Sequence, residues 1–182
     1  VLKHKRPVGK RVAVIGAGGI GFDVSEYLLH YQDEHDGRLA KNVAPDEFWK
    51  EWGIDRSLKK RGGLTEAEHH APNDREIFLL QRKQGKVGAG LGKTTGWIHR
   101  ATLNNFGNVK MMNGLSYEKI DENGNLHVRR KDGQVEILEV DTVVVCAGQL
   151  EKRDLQKATS SSMQDKIYTI GGASAAGKLH PT

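Results

Sequence analysis

A short β-branched run, Arg11–Ile15 (RVAVI), stops at Gly16-Ala17-Gly18-Gly19-Ile20-Gly21, and apolar residues then recur at Ile20, Val24, Tyr27 and Leu28. This join constrains the chain more than any other feature in it. An uninterrupted apolar run suits a central parallel strand buried on both faces, and the three- and four-residue spacing that follows predicts a helix to about His30. Gly16, Gly18 and Gly21 complete the G-x-G-x-x-G pattern between them, in the strand-to-helix context that gives the pattern meaning. The first glycine permits the tight turn, the second lets the backbone approach a pyrophosphate, and the third lets the helix pack close to the strand. The helix start then offers unbonded N–H groups and a partial positive charge to that pyrophosphate. The expectation is an α/β, Rossmann-like, three-layer dinucleotide-binding domain with Gly16, Gly18, Gly19, Ile20 and Gly21 at the diphosphate.

The choice of dinucleotide turns on the second strand. A carboxylate at its end would take a ribose 2′-hydroxyl, normally about twenty residues after the glycines. Here a polar excursion, 31–75, intervenes, and the next strand pattern is Glu76–Gln81 (EIFLLQ). Its end reads Gln81-Arg82-Lys83, two cations and no acid. A carboxylate would repel a 2′-phosphate, whereas Arg forks two hydrogen bonds to it and Lys adds a point charge. The sequence therefore favours NADP(H) over NAD.

The other motifs carry less. Gly90-Leu91-Gly92-Lys93-Thr94 has the look of a nucleotide-hydrolase phosphate loop, but position 87 is Val where that motif needs Gly. Its glycines and Lys93 are expected to border the dinucleotide, with Thr94 or Thr95 capping a helix from Thr95 to Asn105 and Gly107 closing it. His69 and His70 are adjacent and point apart on any regular element, so no metal site is expected. His99 and Arg100 are read equally as helix surface or as ligands. Cys146, the single cysteine, excludes a disulfide framework and an iron–sulfur cluster within these residues, and it reads as filler in an apolar strand. The charge is +5, with 28 Lys plus Arg against 23 Asp plus Glu. Only 6% of residues are aromatic and no basic stripe interleaves with rings, so a phosphate-rich small molecule explains the charge better than nucleic acid. No apolar run reaches membrane-span length and no signal peptide is visible, so neither a membrane nor an export route is expected and a cytoplasmic setting is.

Along the chain, residues 1–10 read as a basic linker and 11–155 as the NADP(H)-binding domain. Inside the excursion, Pro45 opens a short amphipathic helix that Gly53 closes. After a third strand, Val109–Met112, the period changes to two, and the turns Glu122–Asn125 and Lys131–Gly133 predict an antiparallel meander. Val140–Ala147 (VDTVVVCA) then returns as a buried strand. Residues 156–182 read as the return segment of an incomplete second domain, and the whole as a piece of something longer. No residue pair forms an acid–base or nucleophilic site, as expected where cofactors carry the chemistry.

Arg11–Asp23, Glu51–Ser57 (EWGIDRS), Leu80–Leu103 (LQRKQGKVGAGLGKTTGWIHRATL), Gly114–Asp121 (GLSYEKID) and Val143–Gln149 (VVVCAGQ) together resemble the NADPH-binding region of the bacterial 2,4-dienoyl-CoA reductase family, among the old-yellow-enzyme-related iron–sulfur flavoproteins. The resemblance covers the chain from about Lys10 to Leu155. It implies a longer enzyme with an FMN-bearing (β/α)8 barrel, a 4Fe–4S cluster, an FAD domain and an NADPH domain. In it electrons pass from NADPH through FAD, cluster and FMN to an unsaturated acyl-CoA. It implies Gly16, Gly18, Gly19 and Gly21 for the pyrophosphate, Gln81, Arg82 and Lys83 for the adenosine end, and Gly148 and Gln149 near the nicotinamide. The partners it implies are NADPH and the rest of the same chain. The tail departs from the family. Gly171-Gly172-Ala173-Ser174 has Ser where a G-G-x-D motif seats FAD, and only the return strand of the FAD domain is expected here, so FAD, FMN and the cluster are implied for the full-length enzyme alone. A trimethylamine-dehydrogenase-like or enoate-reducing flavoprotein, and a non-catalytic dinucleotide-binding module, stay open beside this reading.

Overall fold

The computed structural model describes residues 1, 4, 6–30, 45–66 and 74–175. The expectation for His69 and His70, and the parts 31–44 and 67–73 of the polar excursion, lie outside the described residues. The chain divides into two units, Val1–Cys146 and Ala147–Thr182.

The first unit holds strands β1 (Arg11–Ile15), β2 (Glu76–Leu80), β3 (Val109–Met112), β4 (Ser116–Ile120), β5 (Leu126–Arg129), β6 (Val135–Leu138) and β7 (Thr142–Val145). Its helices are α1 (Gly19–His30), α2 (Pro45–Glu51) and α3 (Gly96–Phe106). Four strands pair in parallel in the order β3-β2-β1-β7, with Val14 opposite both Leu79 and Val144. The expected meander forms a separate antiparallel sheet, β4-β5-β6. Its turns carry Gly124 and Gly133 at φ 86° and 88°, conformations that glycine adopts without the steric penalty of a side chain.

The β1 and β2 runs are apolar throughout because both faces are covered. Side chains alternate between faces along a strand. Val12, Val14, Ile77 and Leu79 point to one core, shared with Phe22, Leu28 and Leu103 of α1 and α3. Ala13, Phe78 and Leu80 point to a second core, shared with Leu126, Val128 and Leu138 of the meander. The parallel sheet is thus the middle of three layers, an α/β Rossmann-like arrangement as expected.

One strand differs from its expectation. β7 spans Thr142–Val145 rather than a buried run to Ala147, and Val145 is 69% exposed. The strand order explains this: among the described residues β7 is an edge with β1 as its one neighbour. Cys146 follows the strand, half-buried, with its N–H on the Ile15 carbonyl at 2.8 Å.

In the excursion, α2 begins at Pro45, and Gly53 follows its end at φ 59°. Asp55 then organises a turn, accepting from the Ser57 and Lys60 N–H groups at 3.0 and 2.8 Å and from the Ser57 hydroxyl at 2.6 Å. Trp52, Leu58 and Leu64 stay exposed, so these residues build no second core.

The second unit contains a one-turn helix, α4 (Asp154–Lys157), and short 3₁₀ turns at Ser161–Lys166 and Gly171–Ala173. Arg153 closes it, donating to the Ala173 and Ser174 carbonyls at 2.7 Å each. No return strand forms among the described residues of this unit: Lys166 ends a 3₁₀ turn, and Ile167 and Ile170 are extended without belonging to a strand. No helix among the described residues is long and apolar enough to cross a membrane.

Candidate functional site

β1 lies between β2 and β7, and the chain leaves β1 toward β2 and returns to β7 on the other side. That reversal of direction opens a crevice at the carboxyl ends of the strands, where open α/β sheets take their ligands. The glycine turn fills this position. Gly16, at φ 110°, donates its N–H to the Leu80 carbonyl at the tip of β2, 2.9 Å away. A β-carbon on Gly21 would stand 1.8 Å from the Gly16 oxygen, so the third glycine is what lets α1 start this close to the turn. Ser25 secures the same point, its hydroxyl donating to the Gly21 carbonyl at 2.7 Å.

Gly18 and Gly19 are different in kind. Both are exposed, and a β-carbon on either would meet nothing within 4 Å. Nothing among the described residues requires glycine there, whereas a ligand lying against the backbone would. The α1 ladder begins with Phe22 N–H on the Gly18 carbonyl at 3.1 Å, and the first turn carries no acidic residue. The N–H groups before Phe22 and the positive end of the helix are therefore directed at the crevice with no competing anion in that turn. Ile20, 45% exposed, is the one side chain of that turn to project outward. Bare backbone, helix end and absence of acid fit the diphosphate of a dinucleotide.

At the tip of β2, Arg82 and Lys83 are exposed, and among the described residues neither has a carboxylate partner. Burial pushes the Tyr117 hydroxyl of β4 above its ordinary pKa, and the nearby Arg82 charge partly offsets this. Gln81 is committed within the protein: its amide donates to the Lys83 carbonyl at 3.0 Å and accepts from Gly88 N–H at 3.3 Å. Lys93 is exposed in the glycine loop before α3. Thr95 holds the N-cap position of α3, but neither it nor Thr94 caps with its hydroxyl as expected. The Gly92 carbonyl accepts the Gly96 N–H at 2.7 Å, and the Thr94 carbonyl takes the Trp97 indole N–H at 3.0 Å. Gly107 closes α3 in the left-handed conformation, φ 74°.

Two residues left open by the sequence have definite places. His99 Nδ1 lies 2.8 Å from Glu26 Oε1 and joins α3 to α1. Arg100 donates to the Gly88 carbonyl at 2.9 Å. Both act through the scaffold, and side-chain spacing alone contained no signal for either partner. Gly148 and Gln149 belong to the second unit, where both are exposed and Gly148 has φ 82°. The Cys146 thiol is pushed up by burial, so it stays protonated and unreactive near neutral pH.

The sequence matches the pyridine nucleotide-disulphide oxidoreductase family over residues 1–169. The chain belongs to this family. The pyridine nucleotide in the family's description is in keeping with the strand–turn–helix geometry. Among solved structures, a 2-naphthoyl-CoA reductase in complex with 2-naphthoyl-CoA shares the fold with TM-score 0.61 at 19% identity, over 98% of this chain and 20% of that one. This family member thus spans about a fifth of the length of that reductase. A bacillithiol disulfide reductase from Bacillus cereus (TM-score 0.47, 15% identity, 82% of this chain and 32% of that one) is also similar. So is NDH2 from Plasmodium falciparum in complex with NADH (TM-score 0.46, 12% identity, 81% and 24%).

Proposed function

We propose that this chain is the NADPH-binding part of a flavoprotein reductase of the 2,4-dienoyl-CoA reductase kind, presenting the nicotinamide for hydride transfer to FAD. The observation that carries the reading is the pairing of two features at one crevice: a bare glycine turn at α1, and a β2 tip ending in Arg82 and Lys83 with no acid. When bound, NADPH supplies a hydride, two electrons and one proton's worth of hydrogen, to the flavin. The chain's own work is to bind and orient. Gly18 and Gly19 let backbone N–H groups reach the diphosphate, Arg82 and Lys83 hold the 2′-phosphate, and Ile20 and Lys93 border the dinucleotide. No side chain here needs to move a proton, consistent with a site whose contribution is positioning.

The acyl-CoA part of the proposal rests on the sequence resemblance; the 2-naphthoyl-CoA reductase that shares the fold is named for a substrate of the same chemical class. FAD, FMN and an iron–sulfur cluster belong to the proposed full-length enzyme, with the rest of its chain as the partner of this part. Fluorescence titration with NADPH, NADH and FAD tests the proposal. NADPH should bind about tenfold or more tightly than NADH, the worth of a charge-assisted contact. Equal affinities remove the NADP reading, and no binding of either removes the dinucleotide site.

A further inference from the structure

Gly88 sits at the meeting point of three elements. Its N–H is held by Gln81 Oε1 at the end of β2, 3.3 Å away, and its carbonyl by Arg100 of α3, 2.9 Å away. Its Cα faces the ring of Phe22 in α1 so closely that a β-carbon would stand 2.6 Å from the ring, and φ is 72°. Val87 beside it is buried in the core. The Gln81 amide also reaches back to the Lys83 carbonyl, which accepts the Gly114 N–H as well, at 3.1 Å. Residues 83–88 are therefore an arch stapled across its base by one side chain and anchored at its far end to α1 and α3. The arch carries Lys83 and begins one residue after Arg82, the two cations assigned to the 2′-phosphate.

From this geometry we infer that Gln81 and Arg100 are specificity-determining positioning residues: they act on the 2′-phosphate through the arch and not by touching the ligand. The inference rests on the NADP reading above. Arg82 and Lys83 are long, exposed side chains on a glycine-containing loop, and holding the backbone beneath them removes ordering that binding would otherwise have to impose. Gln81 contributes through both ends of its amide, Arg100 through the Gly88 carbonyl.

NADP⁺ and NAD⁺ differ by the 2′-phosphate alone, so their affinities for the full chain isolate the effect. Gln81→Met removes both amide bonds without changing charge, Arg100→Met removes the donor to Gly88, and Arg100→Lys keeps a donor; circular dichroism and thermal unfolding check that each folds. Each of the first two should weaken NADP⁺ about three- to tenfold, the loss of a hydrogen bond, and leave NAD⁺ within about twofold. Arg100→Lys should lie closer to wild type than Arg100→Met. Equal losses for both dinucleotides, or no loss for NADP⁺, overturn the inference while the NADP reading stands. Wild-type protein that binds NADP⁺ and NAD⁺ alike removes the NADP reading, and the inference with it.

Discussion

The Gly16 carbonyl oxygen occupies the space a Gly21 side chain would need, 1.8 Å from where the β-carbon would stand. Gly21→Ala must therefore displace α1 from the turn, and we expect it to destabilise the protein by roughly 1–3 kcal/mol and to abolish dinucleotide binding. Gly18→Ala meets no atom within 4 Å and should fold with stability within about 1 kcal/mol of wild type. It should nonetheless weaken dinucleotide binding, because its methyl group enters the space of the diphosphate. Urea unfolding beside cofactor titration separates the two glycines. A Gly18→Ala protein that binds normally would remove the close backbone approach.

Arg82 and Lys83 together predict a selective loss. Replacing both with Ala should weaken NADPH about ten- to a hundredfold while NADH changes little. Both side chains are exposed. Their contribution is therefore screened by salt, and the wild-type preference for NADPH should shrink as ionic strength rises toward 1 M. Equal weakening of both cofactors, or a preference indifferent to salt, would assign these cations to the solvated surface.

The layers of this fold are written locally, and the anchors between them are not. Arg11–Ile15 and Glu76–Leu80 read as strands buried on both faces because every residue along their middles is apolar. Asn123-Gly124 and Asp132-Gly133 announce their hairpins by residue type alone. Strand order is non-local, which is why Val145 reads as buried in sequence yet stands on an edge. Gly85, Gly88, Gly90 and Gly92 are indistinguishable along the chain; packing against Phe22 singles out Gly88. Gln81 reads as a ligand from its place at the strand tip, while its two amide bonds to the arch depend on a loop whose path only the fold defines. Side chains that act through backbone carbonyls leave no periodic trace.

The β4–β5 turn should report on acid. Asp121 Oδ2 lies 2.9 Å from His127 Nε2, and Oδ1 accepts from the Asn125 and Asn123 N–H groups at 2.9 and 3.0 Å. The His127 bond first, then the Asn125 N–H, hold this carboxyl down to about 2. Its pKa in the unfolded chain is about 3.9, so the unfolded state takes up the proton first as pH falls. The stabilisation is fully present above that value and is lost as pH drops from about 4 to about 2. Asp121→Asn should therefore lower the urea midpoint by a constant amount above about pH 5, and the gap to wild type should close between pH 4 and pH 2. A gap independent of pH would mean that the turn does not depend on the charge.

Arg75 is charged yet only 8% exposed, just before β2 and at the opposite end of that strand from Gln81. Its guanidinium donates to the carbonyls of Leu28 at 2.7 Å, Gly9 at 3.0 Å and Val8 at 3.3 Å. Leu28 lies in the last turn of α1, whose final carbonyls have no partner within the helix. The side chain thus satisfies the end of α1 and the segment entering β1 together, and its planar fork suits that geometry in a way an ammonium does not. Arg75→Met keeps much of the bulk but removes these three hydrogen bonds, at a cost of about 2–4 kcal/mol. Arg75→Lys should recover less than half of that, since one ammonium cannot span three acceptors spread over two segments. Guanidinium unfolding of the two variants measures both numbers, and a Lys variant as stable as wild type would show that charge rather than the fork secures this corner.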